Sequence, residues 1–175
     1  MRLIIRRHRV LARAAAALAA TVAATWLYAC HAPFDSPESK MTVPGTVVLD
    51  ANGVILQRDG ADGFRIPVSL DRVAPIAREA TIAAEDQRFA THIGVDPIAM
   101  ARAVLGFRDH RSGASTISQQ LARRLYLDGG GGPLPVRKSR ESLIALQLEA
   151  HRSKDQILEL YLNEVYYGRG AYGIE

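Results

Sequence analysis

The sequence predicts a mainly α domain, with a short β-hairpin region before it and an N-terminal membrane-anchor helix before that. Three observations carry this prediction. An arginine-flanked apolar run opens the chain, an Asn-Gly pair sits between two short β-type segments, and from Ser69 onward capped segments show helical periodicity. The chain has 175 residues, 48% of them hydrophobic and 23% charged, which suits one folded domain and excludes wholesale disorder.

Residues 1–13 form a basic tail with Arg2, Arg6, Arg7, Arg9 and Arg13. Ala14 to Cys30 contains no charged residue and, as a helix, would span about 26 Å, extended by Val10 and Leu11 if Arg13 snorkels. Arginines before the run and Trp26 and Tyr28 at its far end predict a single-pass anchor with everything after Cys30 outside the cytoplasm. Two competing readings are a cleaved signal peptide ending near Cys30-His31-Ala32 and a lipobox at Leu27-Tyr28-Ala29-Cys30. All three export the domain. A single cysteine excludes an internal disulfide framework and a zinc ribbon.

Residues 31–45 hold three prolines and read as a linker. Residues 46–70 read as a short β region, with GTVVLDANGVIL as two strands around Asn52-Gly53. Residues 71–175 read as the helical domain. In its first helix, running to about Phe89, Ile76, Ala77, Ala80, Ala83 and Ala84 share a face. A second helix starts at Asp96-Pro97, with Asp as N-cap and Pro as first helical residue. Thr116 and Gln119 are spaced as a capping box for a third, whose stripe is Ile117, Leu121 and Leu125. After a glycine run at 129–132, two more helices are predicted over about Val136–His151 and Lys154–Tyr167, the last opened by a Ser153/Gln156 box.

The formal net charge of +4 is uneven. Five of the 22 cations lie in the first thirteen residues, leaving seventeen against eighteen anions, a net −1. Between Pro97 and Arg140 eight cations face only Asp109 and Asp128, a local +6. Arg137 and Lys138 fall in the predicted first turn of their helix, where the macrodipole disfavours cations unless an anion compensates. Glu141 supplies part of that compensation, and a phosphate or pyrophosphate would supply more. Glu85 and Asp86 point about 100° apart on a helix and cannot serve one site equally, whereas Glu141, Ala145 and Glu149 form one stripe. Two helical carboxylates flanking a basic segment can divide into an acid/base and an anion holder.

Other chemistries are poorly supported. His92 and Asp96 are too few for a zinc site, Ser115 and Ser118 lack a nearby His/Asp partner, and the glycine run is not closed by Lys-Ser/Thr as a P-loop is. Nucleic-acid binding fails because the helices lie outside the cytoplasm and no aromatic platform accompanies the basic residues.

Four strings, EDQRFATHIGVDP (85–97), GASTISQQLARRL (113–125), RKSRESLIALQLE (137–149) and KDQILELYLNEVYYGRGAYGIE (154–175), resemble successive motifs of the peptidoglycan glycosyltransferases, which include the class A penicillin-binding proteins. The preceding VVLDANGVIL and ADGFRIPVSLDRVAP look most like the penicillin-binding protein 1C branch. The resemblance implies a lysozyme-like, mainly helical fold on the periplasmic side of the bacterial inner membrane, polymerising lipid II into β-1,4 glycan strands. It implies Glu85 as general base and Glu141 as the second functional carboxylate, facing the pyrophosphate side through Mg²⁺ or Mn²⁺. It further implies substrate-binding roles for Asp86, His92, Ser115, Thr116, Gln119, Gln120, Arg123, Arg137 and Lys138. Lipid II, the growing glycan chain, the membrane and other wall-synthesis proteins are the implied partners, with no nucleic acid among them.

Two departures from the family pattern stand out. Arg124 occupies a position where the family often has Asn, and Glu175 falls inside the fourth motif, so a C-terminally incomplete domain is expected. No Ser-x-x-Lys occurs, so no transpeptidase is expected in this chain. Two further readings are a lysozyme-like muramidase, which has no need for the +6 segment, and a scaffold that binds lipid II without catalysis.

Overall fold

The computed structural model describes residues 34–41, 46–59, 66–104, 115–127, 133–168 and 171–174, with scattered positions between 12 and 31. It falls into two compact units, Met1–Pro33 and Phe34–Glu175. In the first, the described positions between 12 and 31 are helical. Among the described residues no helix is long and apolar enough to cross a membrane. Most of the basic tail, several positions of the 14–30 run including Cys30, and the glycine run at 129–132 lie outside the described residues.

In the second unit the order is β1 (Thr46–Leu49), β2 (Ile55–Asp59), α1 (Pro75–Glu85), α2 (Pro97–Val104), α3 (Ile117–Tyr126), α4 (Leu134–His151), α5 (Lys154–Glu164), β3 (Tyr166–Gly168) and β4 (Ala171–Tyr172). The unit is mainly helical, with two separate two-stranded antiparallel sheets. The expected hairpin is present. Thr46 pairs with Asp59 and Leu49 with Ile55, with a register shift between Val48 and Leu49. Asp50 organises its turn: Oδ1 accepts from the N–H groups of Asn52 and Val54, both at 2.8 Å, and Gly53 takes φ 82°.

The core forms around α3, which packs against α4 and α5. Ile117, Leu121, Ala122 and Leu125 from α3 meet Ala145 and Leu148 from α4 and Ile157, Leu158, Leu160, Tyr161 and Leu162 from α5. The predicted α3 stripe is therefore its buried face. Each such Leu or Ile contributes about 1.5–3 kcal/mol by leaving water. Both capping boxes form: Thr116 and Ser153 accept from the N–H groups of Gln119 and Gln156, whose side chains reach back to the cap N–H groups. Asp96 caps α2 through Ile98 and Ala99 and pairs with Arg88. Burial alone would raise the Asp96 carboxyl, but the Ala99 N–H, the Arg88 guanidinium and the Ile98 N–H hold it below its ordinary value.

Four expectations about the helices change. The first helix stops at Glu85, four residues early, because Asp86 swings to φ −157°, ψ 76° and places its carboxylate in the interior. Its predicted apolar face is mostly solvent-facing: Ile76 is 72% exposed and Ala80, Ala83 and Ala84 are exposed, while Ala77 and Ile82 pack on the core. The fourth helix starts two residues early, at Leu134, with Pro135 in its first turn, so Arg137 and Lys138 lie in the second turn. The fifth ends at Glu164, not Tyr167, and the remaining residues turn into β3.

The described part of the proline-rich segment, 34–41, is docked rather than loose. Phe34 stacks with Tyr126 and His151, Pro37 is buried, and the Tyr126 hydroxyl donates to the Asp35 carbonyl at 2.7 Å. Arg152 donates to both oxygens of Glu38, at 3.1 and 2.8 Å, and these bonds hold the Glu38 carboxyl down to about 2. On α5, Asn163 exchanges two 2.9 Å bonds with the Val68 backbone, and Glu159 accepts from the Leu70 N–H.

Gly94, between α1 and α2, lies close against the backbone of α4. Its φ is 102°, and a Cβ there would lie 2.6 Å from the Ala145 carbonyl oxygen of α4. Gly94→Ala should cost about 2–5 kcal/mol from left-handed strain and overpacking together. Gly53→Ala, at φ 82° with open space around it, should cost about 1–2 kcal/mol. Denaturant midpoints compare the two, and equal losses would contradict the packing argument.

Candidate active site

α1 ends by presenting two adjacent carboxylates in different directions, because the chain leaves helical geometry at Asp86, immediately after Glu85. Glu85 is half-buried and Asp86 buried. α3 repeats this division with its adjacent glutamines: Gln119 turns inward and Gln120 reaches Glu85.

One string of contacts joins Glu85 to Glu141. Gln120 Nε2 donates to Glu85 Oε2 at 2.9 Å and approaches the Ser115 carbonyl at 3.5 Å. The Ser115 hydroxyl accepts from Lys138 Nζ at 2.8 Å, and the same ammonium donates to Glu141 Oε2 at 2.7 Å. Glu141 has 0% exposure and also faces Arg137, with Nε to Oε1 at 3.4 Å. Among the described residues neither of those two atoms has a hydrogen-bond partner, although both are buried. Glu85, Ser115, Gln120, Arg137, Lys138 and Glu141 are thus brought together, with a half-buried carboxylate at one end and a cation-held carboxylate at the other.

Asp86, His92, Thr116 and Gln119 occupy a second, buried network with its hydrogen-bonding capacity used internally. Asp86 Oδ2 accepts from His92 Nε2 at 2.8 Å and from the Ile117 N–H at 3.1 Å. The His92 ring accepts from the Gly94 N–H at Nδ1, so Nε2 carries the proton toward Asp86. The Thr116 hydroxyl donates to the Gly94 carbonyl at 2.6 Å, and Gln119 Nε2 donates to Ser142 Oγ at 2.9 Å. Ser142 in turn donates to the Lys138 carbonyl, tying this network to the first. Arg123 is exposed on α3, and its charge lowers the Tyr161 hydroxyl against larger raising effects. Arg124, at the departure from the family pattern, approaches Glu164 at 3.9 Å and lies over the Tyr172 ring.

Sequence reasoning did not single out Glu149, Lys154, Ser118 or Tyr161 as functional. Glu149 Oε1 accepts from Ser118 at 2.5 Å and Lys154 at 2.7 Å, and Lys154 also donates to the His92 carbonyl. Tyr161 is buried on α5 and donates to Gln120 Oε1 at 3.2 Å. The available signal was its place in the apolar stripe Ile157, Leu158, Tyr161: a buried tyrosine needs a partner for its hydroxyl. Burial pushes that hydroxyl up, the Glu85 charge adds to the effect, and Tyr161 stays a donor.

Among the described residues no three or more His, Cys, Asp or Glu side chains are placed to hold a metal ion. Glu141 already faces two cations, so the residues do not fit a protein-held Mg²⁺ or Mn²⁺.

Residues 52–175 match the family model described as Transglycosylase. The chain is 45% identical over 130 residues to penicillin-binding protein 1A of Escherichia coli (strain K12), covering 73% of this chain and 15% of that protein. It is 40% identical over 140 residues to penicillin-binding protein 1F of Bacillus subtilis (strain 168), covering 74% and 19%. Penicillin-binding protein 1A of Aquifex aeolicus (strain VF5) is 40% identical over 131 residues, covering 73% and 18%. The chain spans less than a fifth of the length of these relatives.

The buried network makes a stability prediction. Asp86→Ala leaves the Ile117 N–H and the His92 Nε2–H without their acceptor and should cost about 2–5 kcal/mol, measured by urea unfolding. A loss under about 1 kcal/mol would contradict the role given to Asp86.

Proposed function

Because this chain belongs to the transglycosylase family, we propose that it is a peptidoglycan glycosyltransferase, polymerising lipid II into β-1,4 glycan strands with inversion. The observation that carries the proposal is the continuous string from Glu85 through Gln120, Ser115 and Lys138 to Glu141. It sets a proton acceptor and an anion-handling group in one array, as the chemistry of an inverting glycosyl transfer needs.

In the proposed reaction the Glu85 carboxylate takes the proton from the 4-hydroxyl of the acceptor sugar. The hydroxyl oxygen forms a bond to the anomeric carbon of the donor chain as the bond from that carbon to the pyrophosphate oxygen breaks. Undecaprenyl pyrophosphate leaves with the bonding electron pair, and the charge it gains is met by Lys138, Arg137 and Arg123. Glu141, held by Lys138 and Arg137, orients those cations. Its compensation also makes the two basic residues tolerable so near the positive end of α4. A divalent cation in this scheme would reach Glu141 with the pyrophosphate, and no step depends on it.

The proposal extends to placement. Residues 14–30 anchor the chain in the bacterial inner membrane as a single span, with the basic tail in the cytoplasm and the catalytic unit in the periplasm. The polyprenyl substrate and the growing glycan then lie on the enzyme's side of the membrane, where other wall-synthesis proteins also work.

Glu85→Gln keeps the shape of the side chain and an acceptor for Gln120 but cannot take the proton. Its turnover on lipid II should fall by about 10²–10⁴-fold with an unchanged unfolding midpoint. Wild-type turnover in that variant would remove Glu85 from the mechanism.

A further inference from the structure

Among the described residues Gln120 is the side chain that hydrogen-bonds Glu85, so what fixes its amide matters to the base. An amide can present either end. With Nε2 toward Glu85 it donates to the carboxylate, but flipped it would set its own oxygen against a second acceptor. The Ser115 carbonyl favours the donating orientation only from 3.5 Å. On the other side of the amide stands the Tyr161 hydroxyl, 3.2 Å from Oε1.

We propose that Tyr161 is a positioning residue for the Glu85 carboxylate, acting through the Gln120 amide. Its hydroxyl donates to Oε1 and thereby commits Nε2 to Glu85 Oε2. That leaves the other carboxylate oxygen as the one offered to the sugar hydroxyl. Several features suit Tyr161 to this task. It is 5% exposed, so water does not compete for the bond, and its ring is locked among α5 and α3 core residues. Its hydroxyl is kept protonated first by burial and then by the Glu85 charge, so the group it helps to orient also keeps it a donor.

This inference rests on the glycosyltransferase reading for its kinetic test and stands apart from it in a second measurement. Tyr161→Phe retains the ring, so the unfolding midpoint should change little. Its kcat on detergent-solubilised lipid II should fall about three- to tenfold, the worth of one neutral hydrogen bond, with KM within about twofold of wild type. In a Gln120→Leu background the same substitution should have no further effect, because the relay is already cut. Wild-type kcat in Tyr161→Phe, or losses that multiply across the two backgrounds, would overturn the proposal. If the wild-type chain does not polymerise lipid II, the functional reading fails, and NMR still decides the positioning claim. The Gln120 side-chain amide protons, assigned with Gln120→Leu, should exchange with solvent faster in Tyr161→Phe. Unchanged exchange would overturn the relay whatever the activity.

Discussion

The Asp86 carboxylate is the contact on which the arrangement depends. It accepts from the first N–H of α3, at Ile117, and from His92 Nε2, and to do so it must leave helical geometry. One side chain therefore ends α1, begins α3 and holds the loop that carries His92 and Gly94. Glu85 becomes the last residue of α1, and α3 enters the core with Ile117 fully buried. An exposed first-turn N–H would be satisfied by water, but a buried one needs an acceptor, and here that acceptor comes from the neighbouring helix.

Around that contact the polar residues divide into two sets. The inner set, Asp86, His92, Thr116, Gln119 and Ser142, spends its hydrogen bonds on backbone and on one another. The outer set, Glu85, Gln120, Ser115, Lys138 and Glu141, forms the string that handles substrate in the proposed reaction. Adjacent residues fall on opposite sides of the division twice, at Glu85/Asp86 and at Gln119/Gln120. At Gln119/Gln120 the helical step accounts for this, and at Glu85/Asp86 the break of α1 at Asp86 does, so a motif written as a doublet is two roles rather than one. Gly94 belongs to the same design, because its missing Cβ lets the loop reach the backbone of α4.

Much of this was legible in the sequence where the signal is local. The capping boxes at Thr116 and Ser153, the Asp96-Pro97 start and the Asn52-Gly53 turn depend on neighbours a few residues away, and they form as read. The Glu141, Ala145, Glu149 stripe is the buried side of α4, with side chains or residues at 5% exposure or less. Helix ends were less legible because tertiary partners decide them. Nothing near Asp86 in sequence says that the Ile117 N–H, thirty-one residues on, will claim it. The docking of Phe34 and Pro37 depends likewise on Tyr126, His151 and Arg152, far along the chain, so proline content alone suggested a linker. Tyr161 was hidden for a related reason: its stripe marked it as core, while its partner lies on another helix.

The most direct test of the Asp86 contact is native-state amide hydrogen exchange at Ile117. A first-turn amide without a partner exchanges quickly, whereas one bonded to a buried carboxylate opens only when the surrounding core does. Protection of the Ile117 amide comparable to that of Leu121 and Leu148 is the predicted result. Exchange as fast as that of an exposed first-turn amide, such as Asp155 in α5, would contradict the account.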